Sequence, residues 1–384
     1  MKLADRYSKT QPSGMIKIFQ AIEKMEDVLN LGIGEPDFDT EHDIIDAAAK
    51  AAKEGFTHYP PLQGFLDVRK TVCDYWKRRH GLDCAPEEVL MTAGGIQVPH
   101  LAMQAMLNPG DEVILVEPYF TPYFTQVEEK GGMALQVRTT EENGFAPTVD
   151  DLEKALTPRT KILLLNSPCN PTGRVIPRRQ LEEIAALVTK RDLFVLSDEI
   201  YESLIYKGEH VSFATLPGMK ERTLTMAGMS KSHCMTGWRV GYGIGPVELI
   251  RAMTVIATSQ TYGLNAPAQK ASAYALANHD HKLVERKKIF DERMDYVTKR
   301  LNGMKNVTCG SAEGAFYLFP NIKSTGLTSE AFVWKLLEDA HVATIPGSAF
   351  GVSGEGYLRI ACTQSIEILI QAMDRMESFL AGLK

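Results

Sequence analysis

The residues best suited to chemistry in this sequence lie around one lysine that follows a short apolar run. The run at residues 223–226 is typical of a strand, and Lys231 lies shortly after it, between two serines. A lysine on a loop at the end of a strand is suited to forming a Schiff base with a carbonyl cofactor. Ser230 and Arg239 would then hold the oxygens of a phosphate group on that cofactor. A solvated loop before a tryptophan-anchored strand is the alternative interpretation.

Two further charged side chains lie at the end of an apolar strand or inside one. Asp198 directly follows the apolar run 193–197, and a buried carboxylate is costly unless it has a partner. A protonated ring nitrogen would be such a partner, although a helix N-cap explains Asp198 better when it is taken alone. Arg359 lies within the apolar run 357–361, where a guanidinium group needs an anion. Its planar fork is suited to binding a carboxylate through two hydrogen bonds.

A turn with two glycines separates another predicted strand, residues 89–92, from a helix that extends to residue 107. The turn contains Gly94, Gly95 and Ile96. Free backbone N–H groups and the positive end of the helix dipole can bind phosphate at such a position. Glycine pairs are also common in turns for packing reasons, so this turn is weak evidence by itself.

Aromatic residues follow the next predicted strand, which covers residues 111–116. Tyr119, Phe120 and Tyr123 are all within reach of a ligand at the end of this strand. A flat cofactor ring needs an aromatic face to lie against, and any of the three could provide it. The alternative is that these aromatic side chains belong to the core, and this remains open for Tyr119.

Asn170 follows a further apolar run, residues 161–165, which does not alternate and is typical of a strand buried on both faces. It belongs to the segment 166–173, whose Asn-Pro-Thr-Gly end is also compatible with a plain turn. The glycine turn, the aromatic residues, Asn170, Asp198 and Lys231 therefore each follow a separate predicted strand. Open parallel sheets bind ligands beyond the carboxyl ends of their strands. The sequence thus predicts one pocket lined from five strand ends.

Helical patterns connect these strands and then dominate the end of the chain. A tail and a helix over 16–28 precede the first turn, and further helices are predicted over 43–54 and 179–190. From about residue 280 the pattern changes, because a long charged helix over 281–301 leads into short antiparallel strands. These patterns predict a large α/β domain and a smaller α+β domain.

Several of these segments match one known family. Residues 230–239 read Ser-Lys-Ser-His-Cys-Met-Thr-Gly-Trp-Arg and closely resemble the lysine signature of class I/II aminotransferases, which are pyridoxal-phosphate (PLP) enzymes of fold type I. Gly-Ile-Gly-Glu-Pro-Asp-Phe at 32–38, the octet 166–173 and Leu-Arg-Ile at 358–360 match the same family. The resemblance therefore covers essentially the whole chain.

The resemblance implies a mostly parallel, seven-stranded-type sheet sandwiched by helices, together with the smaller α+β domain. It also implies three parts. Residues 1–42 would be an N-terminal segment that joins the small domain, 43–280 the large PLP-binding domain, and 281–384 the small domain.

Roles for the candidate residues follow from the resemblance. Lys231 would be the Schiff-base lysine and proton shuttle, and Asp198 would keep the ring nitrogen cationic. Tyr201 would join Asn170 at the phenolic oxygen of the cofactor, and Phe120 would stack on its ring. The implied phosphate contacts are Gly94, Gly95, Ile96, Ser230, Arg239 and, from a neighbouring subunit, Tyr59. The implied substrate contacts are Gly34, Asn170 and Arg359.

The implied reaction is a ping-pong transfer of an amino group from an L-amino acid to a 2-oxoacid, by a homodimer with shared active sites. The sequence departs from some relatives at Gly228, where they carry a phosphate-binding hydroxyl. Ser230 is expected to make that contact instead. No metal site is implied.

Composition excludes several other classes of protein. The 384 residues carry a net charge of −6 and a pI near 5.9, which argues against a nucleic-acid partner. No apolar run approaches the length of a membrane span, and the start of the chain lacks the apolar core of a signal peptide. The 6 cysteines form no Cys-x-x-Cys pair, which favours reduced thiols and a cytoplasmic location.

Three other functions are compatible with parts of the pattern. A PLP-dependent carbon–sulfur β-lyase would use the same scaffold, although Met-Thr-Gly-Trp-Arg after the lysine favours transfer. A PLP-binding regulatory protein without catalysis is disfavoured, because the lysine, aspartate and arginine are all present. A nicotinamide dehydrogenase is weaker still, because Gly241-Tyr242-Gly243-Ile244-Gly245 lacks the required spacing. The amino donor and the oxoacid acceptor are left open by the sequence.

Overall fold

The computed structural model describes residues 14–383, and these residues form thirteen α-helices and twelve β-strands. The strands are β1 (Leu29–Asn30), β2 (Val89–Thr92), β3 (Glu112–Glu117), β4 (Met133–Arg138), β5 (Thr160–Asn166), β6 (Phe194–Asp198), β7 (Thr223–Gly228), β8 (Gly241–Ile244), β9 (Tyr317–Leu318), β10 (Val342–Ala343), β11 (Ile345–Pro346) and β12 (Leu358–Ala361). The helices are α1 (Gly14–Ile22), α2 (His42–Lys53), α3 (Leu66–His80), α4 (Gln97–Met106), α5 (Pro122–Glu129), α6 (Val149–Ala155), α7 (Arg178–Arg191), α8 (Met229–Ser232), α9 (Val247–Thr261), α10 (Ala266–Asn278), α11 (Asp280–Asn302), α12 (Ser329–Ala340) and α13 (Ile366–Gly382).

A seven-stranded sheet forms the centre of the molecule, in the order β2-β8-β7-β6-β5-β3-β4. The pairs among β3 to β7 are parallel, and β8 is antiparallel to both of its neighbours. Because β2 and β7 both run opposite to β8, β2 points the same way as the five parallel strands. The five strands that precede the candidate site residues therefore end at one edge. The predicted mixed α/β fold with a mostly parallel sheet is confirmed.

Helices cover both faces of this sheet because its strands are apolar on both sides. Ile162 and Leu164 of β5 pack in one core cluster with α4 and α9, whereas Leu163 and Leu165 pack in another cluster with α7. Alternate side chains of a strand point to opposite faces, so an uninterrupted apolar run requires cover on both sides. The central strands are consequently rigid supports for the residues at their ends.

A second core lies at the two ends of the described chain. Ile18 of α1 and Leu31 pack with apolar residues between Met294 and Leu380. Strand β1 pairs with β10, and β9, β11 and β12 form a small antiparallel sheet. The N-terminal segment thus packs against C-terminal residues, while the exact three-part division of the chain stays a prediction.

The helix predicted over 16–28 is shorter in the structure and ends at Ile22. Asp27 has a φ of 56°, in the left-handed region, and β1 begins two residues later. The chain must turn here so that Leu29 can pair with Val342, which is why the helix cannot continue. The tail predicted before this helix lies mostly at residues 1–13, outside the described part of the chain.

The described helices include none that is long and apolar enough to cross a membrane. The same residues contain no group of three or more His, Cys, Asp or Glu side chains arranged to hold a metal ion.

Candidate active site

Lys231 lies in the short helix α8, immediately beyond the carboxyl end of β7. Its Nζ donates a hydrogen bond of 2.6 Å to the carbonyl oxygen of Gly34, which follows β1. Burial lowers the pKa of the Lys231 amine to about 8, and the cations Arg359 and Arg239 add to this, although Glu35 opposes it. A fraction of the amine is therefore unprotonated at physiological pH, which is the form that a nucleophile or a base needs.

Gly34 can approach the lysine because it has no side chain. A Cβ atom on Gly34 would collide with the hydroxyl of Tyr317 on β9. The Tyr317 hydroxyl in turn lies 2.8 Å from that of Tyr201, and both phenols are buried. This contact joins the loop after β6 to the small antiparallel sheet. Tyr317 was not a candidate from the sequence.

Asp198 is the last residue of β6 and is almost completely buried. One carboxylate oxygen accepts a hydrogen bond of 3.0 Å from the backbone N–H of Ile200, and the other accepts one from the Tyr123 hydroxyl. Burial raises the pKa of Asp198 to about 7, although these two donors oppose the rise. No α-helix begins directly after Asp198, so it is not a helix N-cap.

Arg359 on β12 is buried without a carboxylate partner among the described residues. Its Nη1 donates to Oδ1 of Asn170 at 3.1 Å and its Nη2 donates to the carbonyl oxygen of Gly32, while Nε has no partner. The guanidinium carbon lies 4.7 Å from the ring centroid of Tyr317 and 5.1 Å from that of Phe350. The two rings and the Asn170 amide hold the arginine, and burial lowers its pKa. The anion that the sequence predicts for this site therefore does not come from residues 14–383.

The backbone of Asn170 is held by the side-chain amide of another asparagine. Oδ1 of Asn166, the last residue of β5, accepts a hydrogen bond of 2.8 Å from the backbone N–H of Asn170. Nδ2 of Asn166 donates to the carbonyl oxygen of Asp198 at 3.1 Å. A single side chain thus couples the loops after β5 and β6. Asn166 belongs to the segment 166–173 that matches the family, but no role was predicted for it from the sequence.

The glycine turn after β2 lies beside Arg239. Gly94 has a φ of 80°, and a Cβ atom at this position would lie 2.5 Å from Nη2 of Arg239. Arg239 has a φ of 55° and donates through Nη1 to the carbonyl oxygen of Thr236 at 2.7 Å. A non-glycine residue in the left-handed region is strained, and such strain is concentrated at functional sites. The guanidinium group and the backbone of the turn therefore form a cationic surface at the mouth of the site.

These side chains converge on one cavity of about 550 Å³. The predicted residues that line it are Gly34, Gly95, Ile96, Phe120, Asn170, Asp198, Tyr201, Ser230, Lys231, Arg239 and Arg359. Two predicted residues do not line it. Gly94 lies next to Arg239, and Tyr59 lies on the surface, 80% exposed, with its ring centroid 5.1 Å from that of Tyr262.

Sequence reasoning missed some of the residues that line the cavity. Tyr123 was considered only as a ring for stacking, whereas the structure points its hydroxyl at Asp198. Met15 and Phe19 of α1 also line the cavity. The sequence pattern predicted a helix over 16–28 but could not show that one face of it would meet residues at the ends of distant strands. Only Tyr123 carried a local signal, because it follows Phe120 at helical spacing.

The comparison with known families decides the identity of the chain. Residues 26–375 match the family model described as aminotransferase class I and II. The chain belongs to this family. It is 43% identical to an aspartate aminotransferase of Pyrococcus abyssi over 391 aligned residues, which cover 100% of both chains. It is 41% identical to aromatic-amino-acid aminotransferase 2 of Thermococcus litoralis, again over 100% of both chains.

Solved structures of the family superimpose on almost the whole chain. An aspartate aminotransferase of Thermus thermophilus with maleate has a TM-score of 0.94 at 35% identity, covering 99% of this chain and 100% of its own. An aromatic aminotransferase of Pyrococcus horikoshii has a TM-score of 0.91 at 41% identity, covering 95% and 98%. This aminotransferase is therefore an enzyme that transfers amino groups between amino acids and 2-oxoacids, and its family uses PLP. The β-lyase alternative is not favoured.

Proposed function

We propose that the cavity around Lys231 binds PLP and that amino transfer takes place in this cavity. The observation that carries the proposal is the convergence of Lys231, Asp198 and Arg359 on one cavity. PLP, when bound, supplies a carbonyl carbon that accepts an amino group and a ring that accepts electrons. The protein must supply the remaining functions, which are binding, orientation and proton transfer.

The chemistry of the side chains fits each part of the cofactor. Lys231 would hold the aldehyde carbon, Asp198 would face the ring nitrogen, and Phe120 would cover the ring. Asn170 and Tyr201 would bind the phenolic oxygen. The proposed phosphate contacts are Gly94, Gly95, Ile96, Ser230 and Arg239.

Asp198 gives the strongest support for this orientation. It is a buried carboxylate, and its hydrogen-bond donors, a phenol and a backbone amide, are neutral. A buried carboxylate normally pairs with a cation. A protonated pyridine nitrogen is such a cation, and pairing with it would lower the pKa of Asp198 from about 7.

Arg359 would bind the α-carboxylate of the substrate, with the backbone at Gly34 and the Asn170 amide beside it. Its Nε lacks a hydrogen-bond partner although it is buried. A buried donor without a partner costs about 1–3 kcal/mol, and a carboxylate would satisfy it. The guanidinium group is already held by contacts with two aromatic rings, so little further ordering is needed when substrate binds.

Lys231 would be the group that moves the α-proton once it is displaced from the cofactor. Its pKa of about 8 leaves about one tenth of the amine unprotonated at pH 7, a far larger share than for an ordinary lysine. A base is most effective when its pKa lies near the working pH. The carbonyl oxygen of Gly34 accepts a hydrogen bond from Nζ and so holds the amine at one position in the cavity.

The side-chain end of the cavity favours an uncharged or aromatic amino acid. Met15, Phe19, Ile33 and Pro122 line it, and its only cations among the described residues are Lys231, Arg239 and Arg359, all of which have roles above. The relative of Thermococcus litoralis is named for aromatic amino acids. Aspartate, named for other relatives, would need a further cation, which a second subunit could supply.

We further propose a cytoplasmic homodimer in which Tyr59 reaches the phosphate of the other subunit. Support comes from the exposure of Tyr59 in one chain and from the free thiol state of all the cysteines.

A panel of amino donors tests the substrate class. Phenylalanine, tyrosine, leucine and aspartate should be compared by kcat/KM with 2-oxoglutarate and with pyruvate as acceptors. The proposal expects the aromatic donors to be used best. A strong preference for aspartate over every uncharged donor would contradict it and would point to a cation from the partner subunit.

A further inference from the structure

Tyr123 is completely buried, and Asp198 is the one hydrogen-bond partner of its hydroxyl group within the described part of the chain. The residue lies in the first turn of α5, which follows the loop that carries Phe120. Its ring packs edge-on against Phe120, with 5.5 Å between the centroids. The same side chain therefore contacts both the proposed stacking residue and the proposed partner of the ring nitrogen.

The contact is built into the fold and does not depend on a mobile loop. Asp198 ends β6 at the centre of the sheet, and α5 packs against the same sheet through Tyr123 and Val127. A hydroxyl directed at a carboxylate donates a hydrogen bond to it, and this hydrogen bond is stronger to the carboxylate anion than to the neutral acid. A phenylalanine would fit the same space but would leave that carboxylate oxygen without this donor.

Asp198 is surrounded mainly by groups that do not stabilise its charge. The titratable and charged groups that face it are Tyr123 on α5, Cys169 after β5, Glu199 and Tyr201 after β6, Lys231 on α8 and Tyr317 on β9. Burial raises the pKa of Asp198, and the Tyr123 hydrogen bond is the foremost influence that lowers it. Lys231 lowers it less, and Glu199 raises it.

We propose that Tyr123 is a positioning residue that keeps Asp198 ionised and oriented for the ring nitrogen of PLP, an inference that rests on the proposed place of that ring. Without the phenol, Asp198 takes up a proton more readily and loses a fixed direction. The cofactor-free protein is then less prepared to bind a cationic ring. Tyr123 need not touch the cofactor for this effect.

The test compares PLP binding by cofactor-free wild-type protein and the Tyr123→Phe variant across a range of pH. The quantity of interest is the ratio of the two dissociation constants, because effects of pH on the cofactor and on Lys231 cancel in it. Loss of a hydrogen bond to a charged group shifts a pKa by roughly one unit or more. The ratio should therefore be about tenfold near pH 6 and approach one near pH 9.

Tyr119→Phe is the matched control. Tyr119 is also buried and close in sequence, but its hydroxyl accepts a hydrogen bond of 2.7 Å from Gln136 and makes none to Asp198. The ratio of the dissociation constants of Tyr119→Phe and wild-type protein for PLP should stay near one at every pH. A Tyr123→Phe ratio that is near one throughout, or that is raised equally at all pH values, would overturn the inference, since damage to packing alone does not depend on pH.

A second measurement separates this inference from the proposed cofactor site. The folded-state pKa of Asp198 is raised to about 7, so its contribution to the stability of the cofactor-free protein is lost as pH rises through that value. In Tyr123→Phe the loss should extend about one pH unit higher. Thermal unfolding could show this shift while the ratio of dissociation constants does not change with pH. Tyr123 would then influence the pKa of Asp198, but the ring nitrogen would lie elsewhere. The inference would fail together with the proposed orientation of the cofactor. If the pH dependence of unfolding is the same in both proteins, Tyr123 does not influence the ionisation of Asp198. The inference then fails, and the proposed cofactor site is unaffected.

Discussion

Burial shifts the pKa of Lys231 and that of Asp198 in opposite directions, and both shifts favour the uncharged form. The Lys231 amine falls to about 8 and the Asp198 carboxyl rises to about 7, each with burial as the largest cause. Burial in the cavity thus makes the charged forms of these two side chains unfavourable in the absence of a ligand. A zwitterionic amino acid and a cationic ring would supply the missing counter-charges to Arg359 and Asp198.

The Asp198→Asn variant should retain its fold and still bind PLP, but lose most of its activity. An amide cannot hold the ring nitrogen in its cationic form, so the stabilisation of charge in the transition state is lost. Removing one such preorganised group typically lowers kcat roughly a hundred- to a thousandfold. Asp192→Asn is the control, because the Asp192 side chain is 93% exposed, does not line the cavity and precedes β6, whereas Asp198 ends that strand. Unimpaired turnover of Asp198→Asn would refute the role.

The pKa of Lys231 predicts how capture of the cofactor depends on pH. Only the unprotonated amine attacks a carbonyl, so the rate of PLP incorporation into cofactor-free protein should rise with pH and level off above about 8. Stopped-flow absorbance at several pH values measures this rate. A rise that continues to the ordinary lysine pKa, above about 10, would show that the cavity does not perturb the amine.

At the scale of elements, the site depends on strand ends that face one edge of the sheet. The apolar runs of β3, β5, β6 and β7 were predictable, because strands buried on both faces need continuous apolar sequence. Their common edge also followed from the parallel order. The antiparallel placement of β8 between β2 and β7 did not, since it depends on long-range pairing that leaves no local pattern.

The contacts of two tyrosines could likewise not be predicted from the local sequence. Tyr317 meets Tyr201 and Arg359 only after the small antiparallel sheet packs against the central one. Tyr123 was visible as an aromatic residue, but its hydrogen bond to Asp198 joins residues 75 positions apart. The residue types that carry the chemistry could be predicted from the sequence, whereas the groups that orient them could be found only from packing.

The glycine turn after β2 can be tested for its role in positioning Arg239 at the proposed phosphate site. Gly94→Ala should weaken PLP binding, because the new Cβ would lie 2.5 Å from Arg239 and would displace its guanidinium group. Gly55→Ala is a matched control, since Gly55 has a similar φ of 90° with nothing within 4 Å. Both variants bear the cost of a left-handed alanine, about 1–2 kcal/mol of stability. Only Gly94→Ala should raise the dissociation constant for PLP, and equal constants in the two variants would count against a phosphate site here.

At the scale of the whole molecule, Tyr59 and Tyr262 contact each other where a single chain leaves both rings exposed. Two apolar side chains that follow Tyr59 closely in sequence, Leu62 and Leu66, are exposed as well. Tyr59 is 80%, Tyr262 56%, Leu66 48% and Leu62 40% exposed. An apolar cluster of this kind is typical of a surface that another protein covers. A second copy of the chain is the partner that the proposed shared site requires.

Mixed dimers test the shared site. Tyr59→Phe should loosen PLP roughly ten- to a hundredfold, because a phenol donating to a phosphate makes a hydrogen bond of about 1.5–3 kcal/mol. In a heterodimer of one Tyr59→Phe subunit and one Lys231→Ala subunit, the only lysine-bearing site receives an intact tyrosine from its neighbour. That site should bind PLP as tightly as wild type. Binding as weak as in the Tyr59→Phe homodimer would mean that the tyrosine acts within its own subunit.

The central claim, that Lys231 and its cavity form the cofactor site, is tested most directly by chemical trapping. Borohydride reduction of protein loaded with PLP makes the bond between the cofactor and a lysine permanent, and peptide mapping then identifies that lysine. The account predicts one modified residue per chain, Lys231, and no stable modification in the Lys231→Ala variant. Modification of another lysine in the wild-type protein, with Lys231 unmodified, would contradict the account.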